Sequence, residues 1–337
     1  MENNLFNRLV YMDHNVLDRM TKGEYLGFIE MFKNEGLIAV YSSESLNEIK
    51  RSVGFEDSFL NILKDMEARY IVPNMVENFR YDGTAQVREG DPCDIYQSYI
   101  DEYEHMPEYG YGLTCMLKKM YGGMTDMSFS EIFENGVKET IESIFIPESE
   151  IDELELSIEE KQKIKEFLRM LPNILEQEYS ELGKMLDADA VENSVKQLEE
   201  VTGLGPKVLK NISGQNLLKQ VWDHVKKSFP AQDQSLEMFF GIEAERDLSI
   251  VEKVNSIYHQ LNYVGFYRDS NMKQDRRFTA SFSDMTHAGM ATFCRLFFCK
   301  DEDLVMKASA AYEYLCLPTQ IIHIKANKKI QPIQKPR

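Results

Sequence analysis

Four acidic residues stand at positions where an α/β fold commonly places its chemistry. Asp13 and Asp301 each come directly after a short apolar run of the buried-strand type. Glu48 lies on a helical segment, and Asp284 is expected to open one, where the helix dipole by itself favours an acidic residue. Carboxylates that crowd together raise one another's pKa, and a divalent cation relieves the repulsion. Because hard oxygen ligands suit Mg²⁺ and Mn²⁺, the four residues predict a metal site, with Asp303 as a further candidate ligand.

Polar and basic side chains near these carboxylates are candidates for holding a phosphate-bearing substrate, because a bound metal ion can activate water for phosphate hydrolysis. The basic candidates are Arg276, Arg277, Lys300 and Lys307. Each could contact phosphates, although a single surface charge is more commonly only solvated. His287 lies one helical turn after Asp284, on the same face. It either contacts the substrate or positions water, or else it packs or makes a local hydrogen bond. Asn15 either holds a metal-bound water or caps the following helix.

Short apolar runs separated by helical patterns must position these residues. The runs are 8–12, 37–41, 70–73, 295–299 and 319–324. Strands that alternate with helices favour a parallel sheet with right-handed crossovers, and such a sheet binds ligands at its carboxyl edge. Asp13 and Asp301 both follow their strands at that edge. The predicted fold class is therefore α/β, a parallel sheet flanked by helices.

The pattern changes over a long central region. From about 80 to 262 the spacing of apolar residues is helical, and no convincing strand is present. We predict that residues 1–79 form the first part of the α/β domain, 80–262 a large all-α insertion, and 263–325 the second part. Residues 326–337 are expected to form a basic, flexible tail.

The net charge of −18 at pH 7 bears on the partners of this chain. A free-standing nucleic-acid binder usually carries a basic excess, so either a local basic patch with metal ions or a partner must supply the affinity. Five cysteines without C-x-x-C spacing indicate reduced thiols and no structural zinc site. No apolar run of about 18 residues and no secretory signal pattern is present, so we expect no membrane span and a cytoplasmic location.

Four short motifs resemble those of PIN domains and follow the same order along the chain. Y-M-D-H-N at 11–15 resembles the opening D-x-N of that family, and S-E-S-L-N-E-I at 43–49 resembles its Ser/Thr followed by a helical Glu. S-D-M-T-H-A-G-M-A at 283–291 resembles the third acidic motif, in which an aspartate opens a helix. C-K-D-E-D-L at 299–304 resembles the final T-x-D segment, with Cys299 in place of the usual Thr or Ser.

The resemblance implies a PIN-like parallel sheet in which the carboxylates of four residues meet. The implied catalytic and metal-binding residues are Asp13, Glu48, Asp284 and Asp301. It further implies Mg²⁺- or Mn²⁺-dependent hydrolysis of phosphodiester bonds, most often of RNA. Nucleases of this type occur in bacteria as toxins and as effectors of antiviral defence, and the helical insertion would then recognise the substrate, a protein partner or a second copy.

Two alternatives from other classes stay open at this point. One is a scaffold or regulatory subunit with a catalytically decayed PIN-like fold, which acts through its helical insertion. The other is a structure-specific DNA nuclease, in which G-L-G-P-K at 203–207 would offer backbone N–H groups to a phosphate. The same five residues are also typical of an ordinary helix end followed by a helix that starts with proline.

Overall fold

Apolar strands and amphipathic helices alternate along this protein, whose computed structural model describes residues 3–76, 80–103, 111–144, 146–188, 193–228, 234–244 and 246–325. The strands of these residues are β1 (Leu9–Met12), β2 (Ile38–Tyr41), β3 (Arg69–Val76), β4 (Arg80–Arg88), β5 (Leu296–Cys299) and β6 (Gln320–His323). They form one mixed sheet with the order β4-β3-β2-β1-β5-β6, in which only the β3–β4 pair is antiparallel. The predicted tail, 326–337, lies outside the described residues.

Helices connect the strands and make up most of the remaining chain. They are α1 (Asn3–Phe6), α2 (His14–Thr21), α3 (Gly27–Glu35), α4 (Ser43–Arg51), α5 (Glu56–Asp65), α6 (Pro92–Tyr103), α7 (Tyr111–Met120), α8 (Phe129–Ile144), α9 (Glu148–Glu153), α10 (Ile158–Ala188), α11 (Ser194–Thr202), α12 (Pro206–Leu209), α13 (Leu217–Ser228), α14 (Leu236–Phe239), α15 (Ile250–Val264), α16 (Asp275–Ala291) and α17 (Glu302–Tyr314). Within the described part of the chain, none of these helices combines the length and the apolar character that crossing a membrane requires. The cytoplasmic location stays a prediction.

The order of the strands creates a switch point beside β1. The chain leaves β1 toward β2 on one side, whereas β5 pairs with the other side of β1 and continues to β6. In an open α/β sheet, ligands bind at the carboxyl ends of the two strands that flank such a point. Asp13 follows β1 there and Asp301 follows β5, as the sequence predicted.

The five predicted strands are all present, and the α/β class with a largely parallel sheet is confirmed. The expectation of no strand between 80 and 262 is wrong, because β4 pairs with β3 at the edge of the sheet. The predicted run 70–73 stops at Pro73, but β3 continues past it to Val76. The hydrogen-bonded pairing of β3 with β4 shifts register between Pro73 and Met75. Proline is tolerated there because fewer backbone N–H groups form hydrogen bonds between the strands at such a shift.

The chain divides into two compact units at boundaries that differ from the predicted insertion. The first unit comprises Met1–Tyr99, Leu204–Arg268 and Phe282–Arg337, and the second comprises Ile100–Gly203 and Asp269–Ser281. The helices α12 to α15 therefore belong with the sheet. The physical reason is burial, since the apolar faces of α13 and α15 contribute to the core that also contains residues of β1 and α17.

Gly265 explains how closely the parts of segment 204–268 pack. Gly265 ends α15 with a φ of 97°. A Cβ at this position would lie 2.7 Å from the Cα of Gly205 and 2.8 Å from the Cδ of Pro206, which starts α12. No side chain fits into that space.

Gly203 ends α11 with a φ of 70°, so the 203–207 motif is a helix end followed by a helix that starts with proline.

Candidate metal and catalytic site

Asp13 joins the ends of the two strands at the switch point. Its backbone N–H donates to the carbonyl of Phe298 on β5 (3.0 Å), and its side chain caps α2 by accepting from the N–H of Val16 at Oδ1 (2.8 Å). Its second oxygen, Oδ2, accepts from the backbone N–H of Lys300 (3.2 Å). The side chain is 1% exposed. The carboxylate is therefore fixed between β1 and β5 by backbone groups.

The charge of Asp13 is poorly compensated in the protein without a cation. Burial raises the pKa of Asp13 to about 6, against hydrogen bonds from Val16 and Lys300 that lower it. The charge of His287 also lowers the pKa, and the negative charge of Glu48 raises it. A bound cation would favour the ionised form and reverse the shift.

This shift predicts a pH dependence of stability. The folded-state pKa of about 6 exceeds the ordinary 3.8, so the folded state binds more protons between these values. The stabilising contribution is complete below pH 4 and is lost as the pH rises toward 6, by about 3 kcal/mol in all. The variant Asp13→Asn lacks this titrating group. We therefore expect the wild type to lose about 3 kcal/mol of its free energy of unfolding relative to Asp13→Asn between pH 4 and pH 7 in EDTA. Urea denaturation measures it, and parallel curves for the two proteins would contradict the account.

Asp301 occupies the matching position after β5. It is the N-cap of α17, and its Oδ1 accepts from the backbone N–H groups of Asp303 (2.8 Å) and Leu304 (3.0 Å). Both hydrogen bonds use the same oxygen. The cap satisfies donors that begin the helix, and it orients the carboxylate at the carboxyl edge of the sheet.

Asp284 lies on α16, well inside a helix that starts at Asp275. The expectation that Asp284 opens a helix is therefore wrong. The helical segment begins earlier because residues 275–282 continue the same turn pattern without a proline or glycine. The helix dipole acts mainly within the first turn, so it does not account for a partly buried carboxylate at this position.

The charges of three predicted aspartates affect the pKa of Cys299. Its thiol is fully buried at the end of β5, and burial raises its pKa well above the usual range. The negative charges of Asp13, Asp284 and Asp301 raise this pKa further. The thiol therefore stays protonated, and an S–H group is a weak hydrogen-bond donor.

Glu48 has a different environment, which the sequence did not reveal. Its Oε2 lies 2.7 Å from Nε2 of His287 and 3.6 Å from Nδ1 of His14, and its Oε1 lies 3.6 Å from the guanidinium of Arg51. Burial opposes ionisation, but the charge and hydrogen bond of His287 outweigh it and hold the pKa of Glu48 below its usual value. Glu48 is thus an ion-paired carboxylate whose charge still acts on Asp13.

His287 is the centre of a buried polar chain. It is 1% exposed, and its Nδ1 lies 2.8 Å from the hydroxyl of Tyr11, which in turn lies 2.7 Å from the hydroxyl of Ser42. Burial lowers the pKa of His287, but Tyr11 and Glu48 outweigh burial and raise it well above the usual value. In its protonated form the ring donates from both nitrogens, to Glu48 and to Tyr11. The expected substrate contact of His287 is therefore wrong, because the ring is enclosed.

A second group of side chains continues this network on the same two helices. The guanidinium of Arg51 lies 3.1 Å from Glu44 Oε1 and 2.6 Å from the hydroxyl of Ser283. Ser283 donates in turn to Glu44 Oε1 at 2.5 Å. Glu44, Glu48 and Arg51 occupy one face of α4 at helical spacing, and Ser283 and His287 face them from α16. The interface between these helices is polar and internally neutralised.

The fit of a divalent cation can be judged from these donors. Among the described residues, no group of three or more His, Cys, Asp or Glu side chains is already arranged to hold a metal ion. The donor chemistry nevertheless suits Mg²⁺ or Mn²⁺ at Asp13 and Asp301, whose carboxylates follow the paired strands β1 and β5, and burial raises the pKa of Asp13. Asp284 on α16 is a partly buried carboxylate of the same type. Glu48 fits less well, since His287 and Arg51 already neutralise it.

The remaining predicted residues have varied environments. Asn15 is exposed and does not cap α2, since Asp13 does, so the capping interpretation of Asn15 is wrong. Asp303, the additional candidate ligand, lies 3.6 Å from the amine of Lys210. Lys300 contributes its backbone N–H to Asp13, and its partly buried side chain stays a candidate for the substrate.

Two predicted basic contacts differ from each other in exposure. Arg277 is exposed and belongs to the second compact unit. Lys307 is fully buried; its amine lies 3.1 Å from Asn262 Oδ1 and 4.4 Å from the ring centre of Tyr258. The expectation that Lys307 contacts phosphates is wrong, because the helix face that bears it packs into the core.

Comparison with known proteins leaves this site to be argued from its geometry. No protein-family model, no curated protein and no solved structure matches the chain.

Proposed function

We propose that this chain is a PIN-like, metal-dependent endonuclease that hydrolyses phosphodiester bonds, with RNA as the expected substrate. The observation that carries the proposal is the placement of buried Asp13 and of Asp301 at the carboxyl ends of β1 and β5, the two strands that flank the switch point. Here burial leaves Asp13 with a pKa of about 6, which favours a site that a cation completes.

Each residue has a distinct part in this proposal. Asp13, Asp284 and Asp301 would hold Mg²⁺ or Mn²⁺, and a bound ion of this kind activates water and stabilises charge on phosphate. The backbone N–H of Lys300 and the start of α2 fix the orientation of Asp13. Glu48 adds negative charge beside Asp13, while His287 fixes its position.

A cleavage assay tests the proposal directly. End-labelled single-stranded RNA and DNA of one sequence are incubated with the purified protein in Mn²⁺, Mg²⁺ or EDTA. We expect RNA to be cut with either cation and to stay intact in EDTA. Cleavage that persists in EDTA would contradict the metal mechanism, and preferential cutting of DNA would favour the structure-specific DNA nuclease.

A second candidate function is a catalytically decayed scaffold or regulatory subunit. The ion pairing of Glu48 by His287 and Arg51 favours it, together with the lack of a preformed three-ligand group among the described residues. A scaffold of this kind is expected to show neither cleavage nor stabilisation by Mn²⁺. The toxin or antiviral role, and a partner that binds the helical segments, stay predictions that rest on the resemblance to PIN domains.

A further inference from the structure

The loop between α4 and α5 exposes two large apolar side chains to solvent. Val53 is 80% exposed and Phe55 is 66% exposed. Between them Gly54 has a φ of 83°, and the described residues leave open space where its Cβ would lie. We call residues 52–55 the α4–α5 loop. Contact of an apolar phenylalanine ring with water is unfavourable, so covering the ring with another surface would be stabilising.

Both ends of the α4–α5 loop are fixed to the proposed site. The hydroxyl of Ser52 donates to the carbonyl of Glu48 (2.9 Å) and lies 3.4 Å from Nε2 of His14. The ring of His14 stacks on Phe59 with a centroid distance of 4.5 Å, and the N–H of Phe59 donates to the carbonyl of Phe55 (3.4 Å). The exposed ring therefore belongs to a loop that is held beside His14 and Glu48.

Basic residues precede the exposed ring. Lys50 and Arg51 are both exposed at the end of α4, in the run K-R-S-V-G-F. Arg51 is paired with Glu44 and Glu48, whereas Lys50 forms no ion pair among the described residues and is the cation available beside the exposed ring.

Glu56 and Asp57 follow Phe55 at the start of α5, so the available positive charge lies on the α4 side of the ring. A cation for a phosphate and an aromatic platform for a base are the features that bind single-stranded nucleic acid, because its bases are free to stack. A duplex offers phosphates but no free base face.

We infer that the α4–α5 loop is the docking element for single-stranded nucleic acid, with one base stacked on Phe55 and a neighbouring phosphate at Lys50. The inference rests on the proposed function for the nature of the substrate and deepens it. The loop positions the strand beside the carboxylates and makes no contact with the scissile bond. Phe55 thus sets the preference for single-stranded over duplex substrate.

Binding without cleavage tests the inference. The fluorescence anisotropy of a labelled single-stranded RNA is measured with the protein in EDTA and low salt. Phe55→Ala is expected to raise Kd about tenfold, and Phe55→Trp to restore it. Phe167→Ala is the matched control, since Phe167 is also an exposed phenylalanine (57%) but lies on α10 of the second unit. Melting temperatures of all variants verify that they are folded.

The tryptophan variant adds a spectroscopic signature. The wild type contains one tryptophan, Trp222, so its fluorescence gives the baseline. Stacking of a base on the introduced indole of the Phe55→Trp protein should quench the additional emission when single-stranded RNA is added, and duplex RNA should not. Equal binding by wild type and Phe55→Ala, equal losses in Phe55→Ala and Phe167→Ala, tighter binding of duplex, or no RNA binding by the wild type would each overturn the inference.

The two claims fail in distinguishable ways. If Phe55→Ala weakens RNA binding but the wild type cuts nothing in Mn²⁺ or Mg²⁺, the docking element stands and the nuclease proposal fails. If the wild type cuts RNA and Phe55→Ala has the same KM and Kd, the nuclease proposal stands and the docking inference fails. Phe55→Ala should raise KM about tenfold with little change in kcat.

Discussion

Replacement of Asp284 by asparagine is expected to lower kcat/KM for metal-dependent cleavage by about 100-fold or more. Residues that merely orient metal ligands already contribute about 10- to 100-fold, so the loss of a ligand should cost at least the upper value. Asp284 lies well inside α16, so the change removes a negative charge without removing a helix cap. The folded protein should keep its stability in EDTA, because an asparagine side chain has nearly the shape of the aspartate that it replaces.

The matched control for this change lies on the same helix. Asp275 opens α16 and its side chain is largely exposed, so Asp275→Asn should retain the activity of the wild type. Initial rates at several Mn²⁺ concentrations measure both variants, with circular dichroism to verify the fold. Full activity in Asp284→Asn would contradict the site. Asp13→Asn is a less clean test, because an amide N–H₂ in place of Oδ2 would face the backbone N–H of Lys300.

His287→Ala should produce the largest loss of stability, about 3–5 kcal/mol in the free energy of unfolding. The substitution leaves the ion-paired carboxylate of Glu48 and the buried hydroxyl of Tyr11 without their common partner. The folded-state pKa of His287 lies well above 6.5, so the stabilisation is complete below that pH and is lost as the pH rises through the folded-state pKa. The difference from the wild type should therefore narrow in alkaline solution.

A second histidine, which is partly buried, serves as the control for this prediction. The Nε2 of His259 is shielded from solvent and makes no hydrogen bond among the described residues, and burial lowers the pKa of His259. His259→Ala should therefore cost only the lost packing, about 1–2 kcal/mol. Urea denaturation at pH 6 and pH 9 in EDTA measures both variants. Equal losses for the two substitutions, with no dependence on pH, would show that His287 only fills space.

Much of the sheet could be predicted because its three central strands, β1, β2 and β5, are short and wholly apolar. Each of these three strands is buried along its length, which leaves an unbroken apolar run in the sequence. The edge strand β4 was missed because it contains Asp82 and Gly83, which are unusual in strands. Its period-two alternation of Tyr81, Ala85 and Val87, which contribute to the core, was the signal that could have found it.

The division into units could not be read from periodicity. An amphipathic helix shows which face is buried, but not which element covers that face. The helices α13 and α15 have helical spacing like the rest of the predicted insertion, yet their apolar faces complete the core of the sheet unit. The insertion therefore seemed uniform in sequence although 204–268 and 100–203 belong to different units.

The candidate site was predictable where a strand ends and hidden where distant side chains meet. Asp13 and Asp301 follow apolar strands, and parallel strands bring their carboxyl ends to one edge. The contact between Tyr11 and His287 joins residues 276 positions apart, and Tyr11 stands in an apolar run that predicts only a core residue. The position of Glu44 beside Glu48 could have been predicted, since Glu44 lies one turn before Glu48 on the same helix face.

The most direct test of the central claim is an anomalous difference map from crystals grown or soaked with Mn²⁺. The account predicts one strong peak at the carboxyl edge between β1 and β5, with oxygens of Asp13, Asp284 and Asp301 at about 2.1 Å. Crystals of Asp284→Asn under the same conditions should lose most of that peak. An empty edge at Mn²⁺ concentrations that support cleavage, or a peak held by other side chains, would contradict the assignment of these three aspartates as metal ligands.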